Sequence, residues 1–314
     1  MIAMQGGLIH LPRETPRAAG LHLAVAACVL GLCLGSAPVR GQVRGISNST
    51  AGRSVFLIAH QDDWQLFMGD AVSGILNTGS PATFIYLTAG DDGRDSVYWQ
   101  TRERAALRST TVAIGSGIPD AQEIQCATVT VVKHAVRRCS LGGTESYFLR
   151  LPDGKRNGAG FPRYNHQSLR LLRAKRISSM TAVDSSATYQ GWSDLVATVE
   201  ELIGTDSDRR VLIHTTDPSK AANPHDHFDH RMAGFLVEDL RKRRVSAARY
   251  YEGYALATRA ANRSNAQARV KTAIFLAYDS EMMRVNKDWS AYREHPAFYS
   301  QCMARTYARA PRPR

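Results

Sequence analysis

Cysteine is scarce, at five in 314 residues, and no pair carries the spacing of a zinc ribbon. The glycine-rich loops lack both the Lys-Ser/Thr of a P-loop and the glycine spacing of a dinucleotide-binding turn. Ser116, between Gly115 and Gly117, is outside any Gly-X-Ser-X-Gly pattern, which disfavours a serine hydrolase. No internal repeat is present, and beyond the N-terminus no apolar run is long enough to span a bilayer. Proline numbers only 12 and glycine 24, against 44% hydrophobic residues, so collagen-like, coiled-coil and wholly disordered chains are excluded. Acidic residues are the minority, 28 against 40 Lys and Arg, for a net charge of +12. Such a charge attracts polyanions, but zinc-finger spacing, RNA-binding aromatics and a basic heptad region are all missing. No nucleic-acid partner is therefore expected.

The N-terminus reads as an export signal. Arg13 and Arg17 precede the apolar run Leu21 to Leu34, too short for a transmembrane helix, and Val39-Arg40-Gly41 places small residues before Gln42. The expectation is a signal peptide over residues 1–41, cleavage near Gly41, a secreted or periplasmic protein, and no stable membrane insertion after cleavage. The competing reading is an uncleaved anchor. Removal of the signal leaves Cys126, Cys139 and Cys302. Cys126 and Cys139 flank a β-rich stretch that could fold back as a hairpin, so either a disulfide there or three buried free thiols is compatible with the sequence.

In the mature chain, residues 55–59 (VFLIA), 82–88 (ATFIYLT) and 210–214 (RVLIH) are short continuous apolar runs, the pattern of strands buried on both faces. Helical stretches at 64–76, 98–114, 194–203 and 228–243 alternate with them, while residues 124–150 read as paired strands and 154–162 as a loop. This alternation predicts an α/β fold with a Rossmann-like, mostly parallel sheet and helices on both faces. A single domain spans 42–303, followed by a basic Arg/Pro-rich tail, 304–314, expected to fray. The stretch from 247 to 254 is aromatic-rich and reads as a strand whose tyrosines are core. The residues after Tyr250 are expected to pack on the sheet.

Two polar clusters stand just beyond strands, where open α/β sheets bind ligands. The first is Ala59-His60-Gln61-Asp62-Asp63, and the second is Pro224-His225-Asp226-His227-Phe228-Asp229-His230. Either alone fits helix capping. Together they offer two imidazoles and a carboxylate, the composition of a catalytic zinc site with one open position. His134, His166 and His295 lack acidic companions at ligand spacing and read as structural or surface residues.

These clusters resemble the LmbE-like/PIG-L family of zinc-dependent N-acetylglucosaminyl deacetylases, whose motifs are Ala-His-Pro-Asp-Asp-Glu and a distant His-Pro-Asp-His. Here they read Ala59-His60-Gln61-Asp62-Asp63-Trp64 and His227-Phe228-Asp229-His230, with Leu87 to Asp91 and Tyr98 to Glu103 as further similar segments. The resemblance covers about residues 54–245. It implies zinc on His60, Asp63 and His230, Asp62 as general base, and His227 stabilising the oxyanion or protonating the leaving amine, oriented by Asp229. Arg102 resembles the family's substrate-contacting arginine. Asp91 and Asp92 are candidates for sugar hydroxyls, and Trp64, with Trp99, for a sugar platform. His225 is an alternative ligand if the second motif shifts register. Gln61 for Pro, Trp64 for Glu and Phe228 for Pro are departures, similar to a secreted or antibiotic-associated branch. The implied partner is an amino sugar or glycoconjugate. Rival readings are a carbohydrate- or polyanion-binding protein with an inactive site, and a zinc amidase acting on a non-sugar amide. Oligomeric state is not legible in the sequence.

Overall fold

The computed structural model describes residues 52–115, 124–204, 211–243 and 247–311. The expected signal peptide lies outside them. The elements in chain order begin with β1 (Arg53–Ile58), α1 (Asp63–Leu76), β2 (Ala82–Thr88) and α2 (Ser96–Ala113). The strands β3 (Gln125–Val131), β4 (His134–Leu141) and β5 (Thr144–Leu151) follow, then α3 (Leu169–Arg173) and the short pair β6 (Met180–Thr181) and β7 (Thr188–Tyr189). Next come α4 (Trp192–Ile203), β8 (Val211–Thr216), α5 (Phe228–Arg243) and β9 (Ala247–Tyr251). The chain closes with α6 (Asn265–Val285), α7 (Ala291–Glu294), α8 (Pro296–Met303) and β10 (Ala308–Arg309).

Among the described residues, eight strands form one sheet in the order β10-β9-β8-β1-β2-β5-β4-β3. The five central strands, β9 through β5, run parallel, while β10, β4 and β3 are antiparallel additions at the edges. Strand alternation sends one set of side chains to each face. Val55, Leu57, Ile85, Leu87 and Ile213 pack with residues of α3, α4 and α5, whereas Phe56, Ile58, Phe84 and Tyr86 pack against α1, α2 and α6. Helices thus cover both faces, which is why the central strands are apolar throughout. The chain continues from β1 to β2 on one side, and β8 joins β1 on the other. This reversal opens a crevice at the carboxyl end of β1, where both polar clusters converge.

One expectation is corrected at the C-terminus. Residues 304–311 do not fray: β10 pairs with β9, and the Arg309 guanidinium is held by both oxygens of Asp217, one of them at 2.8 Å. The segment after Tyr250 does pack on the sheet, with Ile274 and Phe275 of α6 in one cluster with Phe56, Phe84 and Tyr86, and α6 also lies over α1 and α2. Ser109 Oγ donates to the Ile274 carbonyl at 2.9 Å, and a Cβ on Gly69 would sit 3.0 Å from Lys271. The buried Lys271 ammonium donates to the carbonyls of Cys302 and Arg305, tying the chain end to this layer. Cys126 and Cys139 face each other across β3 and β4 and are joined by a disulfide; Cys302 is free and buried. Among the described residues no helix is long and apolar enough to cross a membrane.

Candidate metal centre and active site

The turn after β1 is built around Asp63. Its Oδ2 accepts the backbone N–H groups of Ala59 at 3.0 Å and His60 at 2.8 Å, which leaves Oδ1 facing the crevice. There Oδ1 lies 3.0 Å from His230 Nε2 and 3.5 Å from His60 Nδ1, and the two imidazole nitrogens are 3.1 Å apart. Tetrahedral zinc with bonds of about 2.0–2.2 Å requires ligand atoms about 3.3–3.6 Å apart. The three atoms therefore nearly outline one face of such a tetrahedron, and all three side chains are buried. His230 Nδ1 meets Asp226 Oδ1 at 3.0 Å, the kind of carboxylate contact that fixes a tautomer with Nε2 turned to the crevice.

The electrostatics fit a cation. Burial opposes protonation of His230, but Asp63 and Asp226 outweigh it and hold the imidazolium up to about 10. His60 is likewise raised against its burial by Asp63, Asp229 and Asp153. Asp63, despite its burial, is held well below the usual carboxylate range by His230 and His60. So much buried carboxylate needs positive charge, and a divalent ion supplies it without protons on the imidazoles.

Asp62, next to Asp63, has its carboxylate at the cavity wall, ion-paired to the Arg102 guanidinium. Arg102 also donates to the Gly90 carbonyl at 3.0 Å. Gly90 has φ +55°, and a Cβ there would lie 2.7 Å from Gln61 Oε1 and 3.0 Å from Arg102, so only glycine suits the turn. Gln61 is wholly buried and donates to the Thr88 carbonyl at 2.8 Å. The departure from proline thus supplies a tie between the ends of β1 and β2. Phe228, the other replaced proline, donates its N–H to the Arg156 carbonyl at 3.1 Å, a bond proline could not make.

His227 lies against His60, with ring centroids 4.6 Å apart. Its Nδ1 accepts the backbone N–H of Asp229 at 3.2 Å, which puts the proton of the neutral ring on Nε2. Burial and then the nearby His60 and His230 keep this imidazole neutral, well below its ordinary range. The Asp229 carboxylate was expected to orient His227. Instead it accepts the Gly154 N–H at 2.7 Å, stands 3.6 Å from His60 Nε2, and is 3.8 Å from His227 Nδ1; the Asp229 backbone does the orienting. A Cβ on Gly154 would come within 2.4 Å of this carboxylate.

Three of the residues expected to contact substrate do not reach the cavity, for reasons of side-chain direction. Trp64 is fully buried; its indole N–H donates to the Tyr86 hydroxyl at 3.0 Å and its ring packs on Phe84, so it is core rather than a sugar platform. Trp99 is buried under Arg150. Asp91 is buried and spends its oxygens on the Asp153 and Gly93 N–H groups, at 2.8 and 2.9 Å, holding two loops together. Asp92 is exposed, paired with Arg94 at 3.3 Å, and does line the cavity. His225 is exposed with φ +60° and takes no part in either donor group.

The cavity, about 290 Å³, is lined by Asp153 and Tyr254, neither of them expected at the site, and Asp226 stands behind it against His230. Asp153 follows β5, with Oδ2 3.5 Å from His60 Nε2 and Oδ1 3.6 Å from His227 Nε2. Burial, opposed by His60 and aided by Asp229 and Asp91, pushes it up to about 7. The strand-end rule that located His60 also points to Asp153. Asp226 was legible as the carboxylate four residues before His230. Tyr254, expected in the core, sets its ring 5.0 Å from His230; burial and the nearby Asp62 and Asp63 keep its phenol protonated. His60, Asp153, His227 and Asp229 form a second group of donor atoms that shares His60 with the first.

The family model described as PIG-L, GlcNAc-PI de-N-acetylase, matches residues 55–240, which contain both clusters. Among solved structures, the N,N'-diacetylchitobiose deacetylase from Pyrococcus horikoshii is 14% identical, with 83% of this chain and 84% of that chain covered and a TM-score of 0.39. The A40926 pseudoaglycone deacetylase Dbv21 is 12% identical, covering 82% and 95%, with a TM-score of 0.41. The 4-carboxy-2-hydroxymuconate hydratase GalB from Pseudomonas putida is 13% identical, covering 84% and 97%, with a TM-score of 0.39. No curated protein matches the chain in sequence.

Proposed function

Because the chain belongs to the PIG-L (LmbE-like) family of deacetylases, we propose that it is a metal-dependent hydrolase removing the N-acetyl group from an amino sugar or glycoconjugate. The observation that supports metal dependence is the convergence of His60 Nδ1, Asp63 Oδ1 and His230 Nε2 within 3.0–3.5 Å of one another. A zinc ion on these three atoms would polarise the acetyl carbonyl and acidify a water. Asp62 stands beside this position without belonging to the donor set, so its carboxylate is free to take a proton from the attacking water. Arg102 holds Asp62 rather than projecting freely toward substrate, which makes it a positioning residue for the base. Neutral His227 presents Nε2–H to the oxyanion that develops on the carbonyl. Being held neutral, it is poorly suited to protonating the amine, and Asp62 returns the water's proton to the leaving nitrogen. Asp92, Asp153 and the Tyr254 hydroxyl line the remaining wall and suit sugar hydroxyls.

We also propose that the protein works outside the cytoplasm; the Cys126–Cys139 disulfide supports an oxidising compartment. The test is acetate release from a panel of N-acetylated amino sugars and N-acetylated peptides, with wild type beside Asp62→Asn. Release from sugars, lost in a variant that still binds zinc, is the expected result. Release confined to the peptides would remove the sugar, and undiminished release by Asp62→Asn would remove the base.

A further inference from the structure

Carboxylates crowd the catalytic cavity, where Asp62, Asp92 and Asp153 are among the lining residues, so acidic neighbours of a bound amino sugar belong outside it. Outside, α5 carries a stripe of different character. Phe228, Arg231, Phe235, Glu238 and Lys242 recur at spacings of three and four, which puts them on one face of the helix over ~21 Å. The stripe starts at the residue after His227, at the rim of the catalytic cavity, where the Arg156 guanidinium lies 5.9 Å from the Tyr254 ring centre. The Phe228 ring is stacked by the guanidinium groups of Arg170 at 4.8 Å and Arg231 at 5.0 Å, and the Phe235 ring by those of Arg173 at 4.2 Å and Arg231 at 5.7 Å. The far end opens into a cavity of about 410 Å³ between α5, β9 and β10. Lys220, Arg231, Arg241, Lys242 and Arg309 line it, against one carboxylate, Glu238, among the described lining residues. Asp217 and Asp239, just outside the lining, pair with Arg309 and Lys242. Arg231 gives its Nε–H to the Pro218 carbonyl at 3.0 Å and Lys220 is exposed; among the described residues neither pairs with a carboxylate.

We infer that this cationic track is the binding surface for an anionic glycan, which lies with one N-acetylated amino sugar in the catalytic cavity and its acidic neighbours along α5 as far as the cavity at Lys220 and Arg309. This rests on the deacetylase reading for the position of the amino sugar. Guanidinium groups present forked N–H donors that match a carboxylate or another oxyanion. Ring stacking already holds three of them, so less side-chain freedom is lost when an anion binds. The same stacking covers ring faces that a nucleic-acid base would need, which favours a glycan over a nucleic acid. Because the track begins at the catalytic rim, its occupant is part of the substrate chain itself.

Calorimetric titration of the zinc-loaded full chain with two hexasaccharides measures the track without requiring turnover. One is from hyaluronan, which alternates N-acetylglucosamine with glucuronate; the other is from chitin, which is N-acetylglucosamine throughout and neutral. At low salt the hyaluronan hexasaccharide should bind about tenfold tighter, and added salt should shrink the ratio. Lys220→Glu/Lys242→Glu, at two exposed positions, should bring the ratio toward one. Arg269→Glu/Lys287→Glu makes the same change in net charge at exposed positions in and just after α6, on the other face of the sheet, and should leave the ratio within about twofold of wild type. A ratio near one in wild type, no binding of either hexasaccharide, or an equal fall in both double variants would overturn the inference. Tighter binding of an oligonucleotide of equal charge would put a nucleic acid in place of the glycan and overturn it as well. Acetate release measured on the same samples separates the two claims. Preference for hyaluronan without release from either hexasaccharide keeps the track and ends the deacetylase reading, while release with equal binding does the reverse.

Discussion

Asp226→Asn removes one negative charge from behind His230 with almost no change in volume. Asp226 Oδ1 meets His230 Nδ1 at 3.0 Å and also accepts the Tyr254 N–H at 3.3 Å; an asparagine oxygen keeps both contacts. Its NH₂ group must then occupy the place of Oδ2, which is buried without a hydrogen-bond partner. Nor can that oxygen retreat, because a mere Cβ on Gly253 would fall within 2.4 Å of it. Two effects follow. The imidazole of His230 becomes less basic as a donor, and loss of an outer carboxylate of this kind weakens metal affinity by about 10–100-fold, or ~1.4–2.7 kcal/mol. The buried unsatisfied donor costs the fold about 1–3 kcal/mol in addition. Zinc affinity measured by competition with a chromophoric chelator, beside the exposed control Asp92→Asn, isolates the first effect. Thermal unfolding of the metal-free forms isolates the second. Zinc affinity within twofold of wild type in a folded Asp226→Asn protein would refute the assignment of His230 as a ligand supported by Asp226.

Stability should depend on pH through His214, which stacks on Phe56 at 4.5 Å and is pushed down to about 3 by burial and Arg249. Between about pH 6.5 and 3 the unfolded chain binds a proton that the native chain does not. Stability therefore falls with falling pH, by at most ~1.4 kcal/mol per pH unit from this group. His214→Phe should flatten the urea-denaturation midpoint between pH 4 and 6, and an unchanged slope would exclude His214 as the cause. The Cys126–Cys139 bridge closes a loop with a sequence separation of 13, worth about 3 kcal/mol in chain entropy. The double Cys→Ser variant should lose about that much stability with zinc affinity intact; loss of zinc binding would show that the hairpin supports the site.

The strands and the two clusters were legible because their signals are local. Continuous apolar runs such as 55–59 can be satisfied only by a sheet covered on both faces, and the polar residues just after them must fall at its carboxyl edge. Side-chain direction in the first turn of a helix was not legible. Trp64 and Asp63 are neighbours in sequence, yet one turns into the core against Tyr86 and the other into the crevice. Asp91 and Asp92 divide the same way, one binding backbone and the other facing solvent. Helix α6 escaped notice because its buried face includes Lys271, Asp279 and Glu281, so its apolar pattern is broken. Its Ser264–Gln267 capping box was the signal available in the sequence. Tyr254 reads as one more core tyrosine after β9, and only the turn at Gly253 carries it out to His230.

The account depends first on the metal. The most direct measurement is the zinc content of the purified protein after loading and exhaustive dialysis, wild type beside His230→Ala. About one zinc per chain in wild type, lost in the variant, is the predicted result. No retained metal in wild type, or equal retention in His230→Ala, would contradict the assignment of His60, Asp63 and His230 as the metal centre and with it the proposed chemistry.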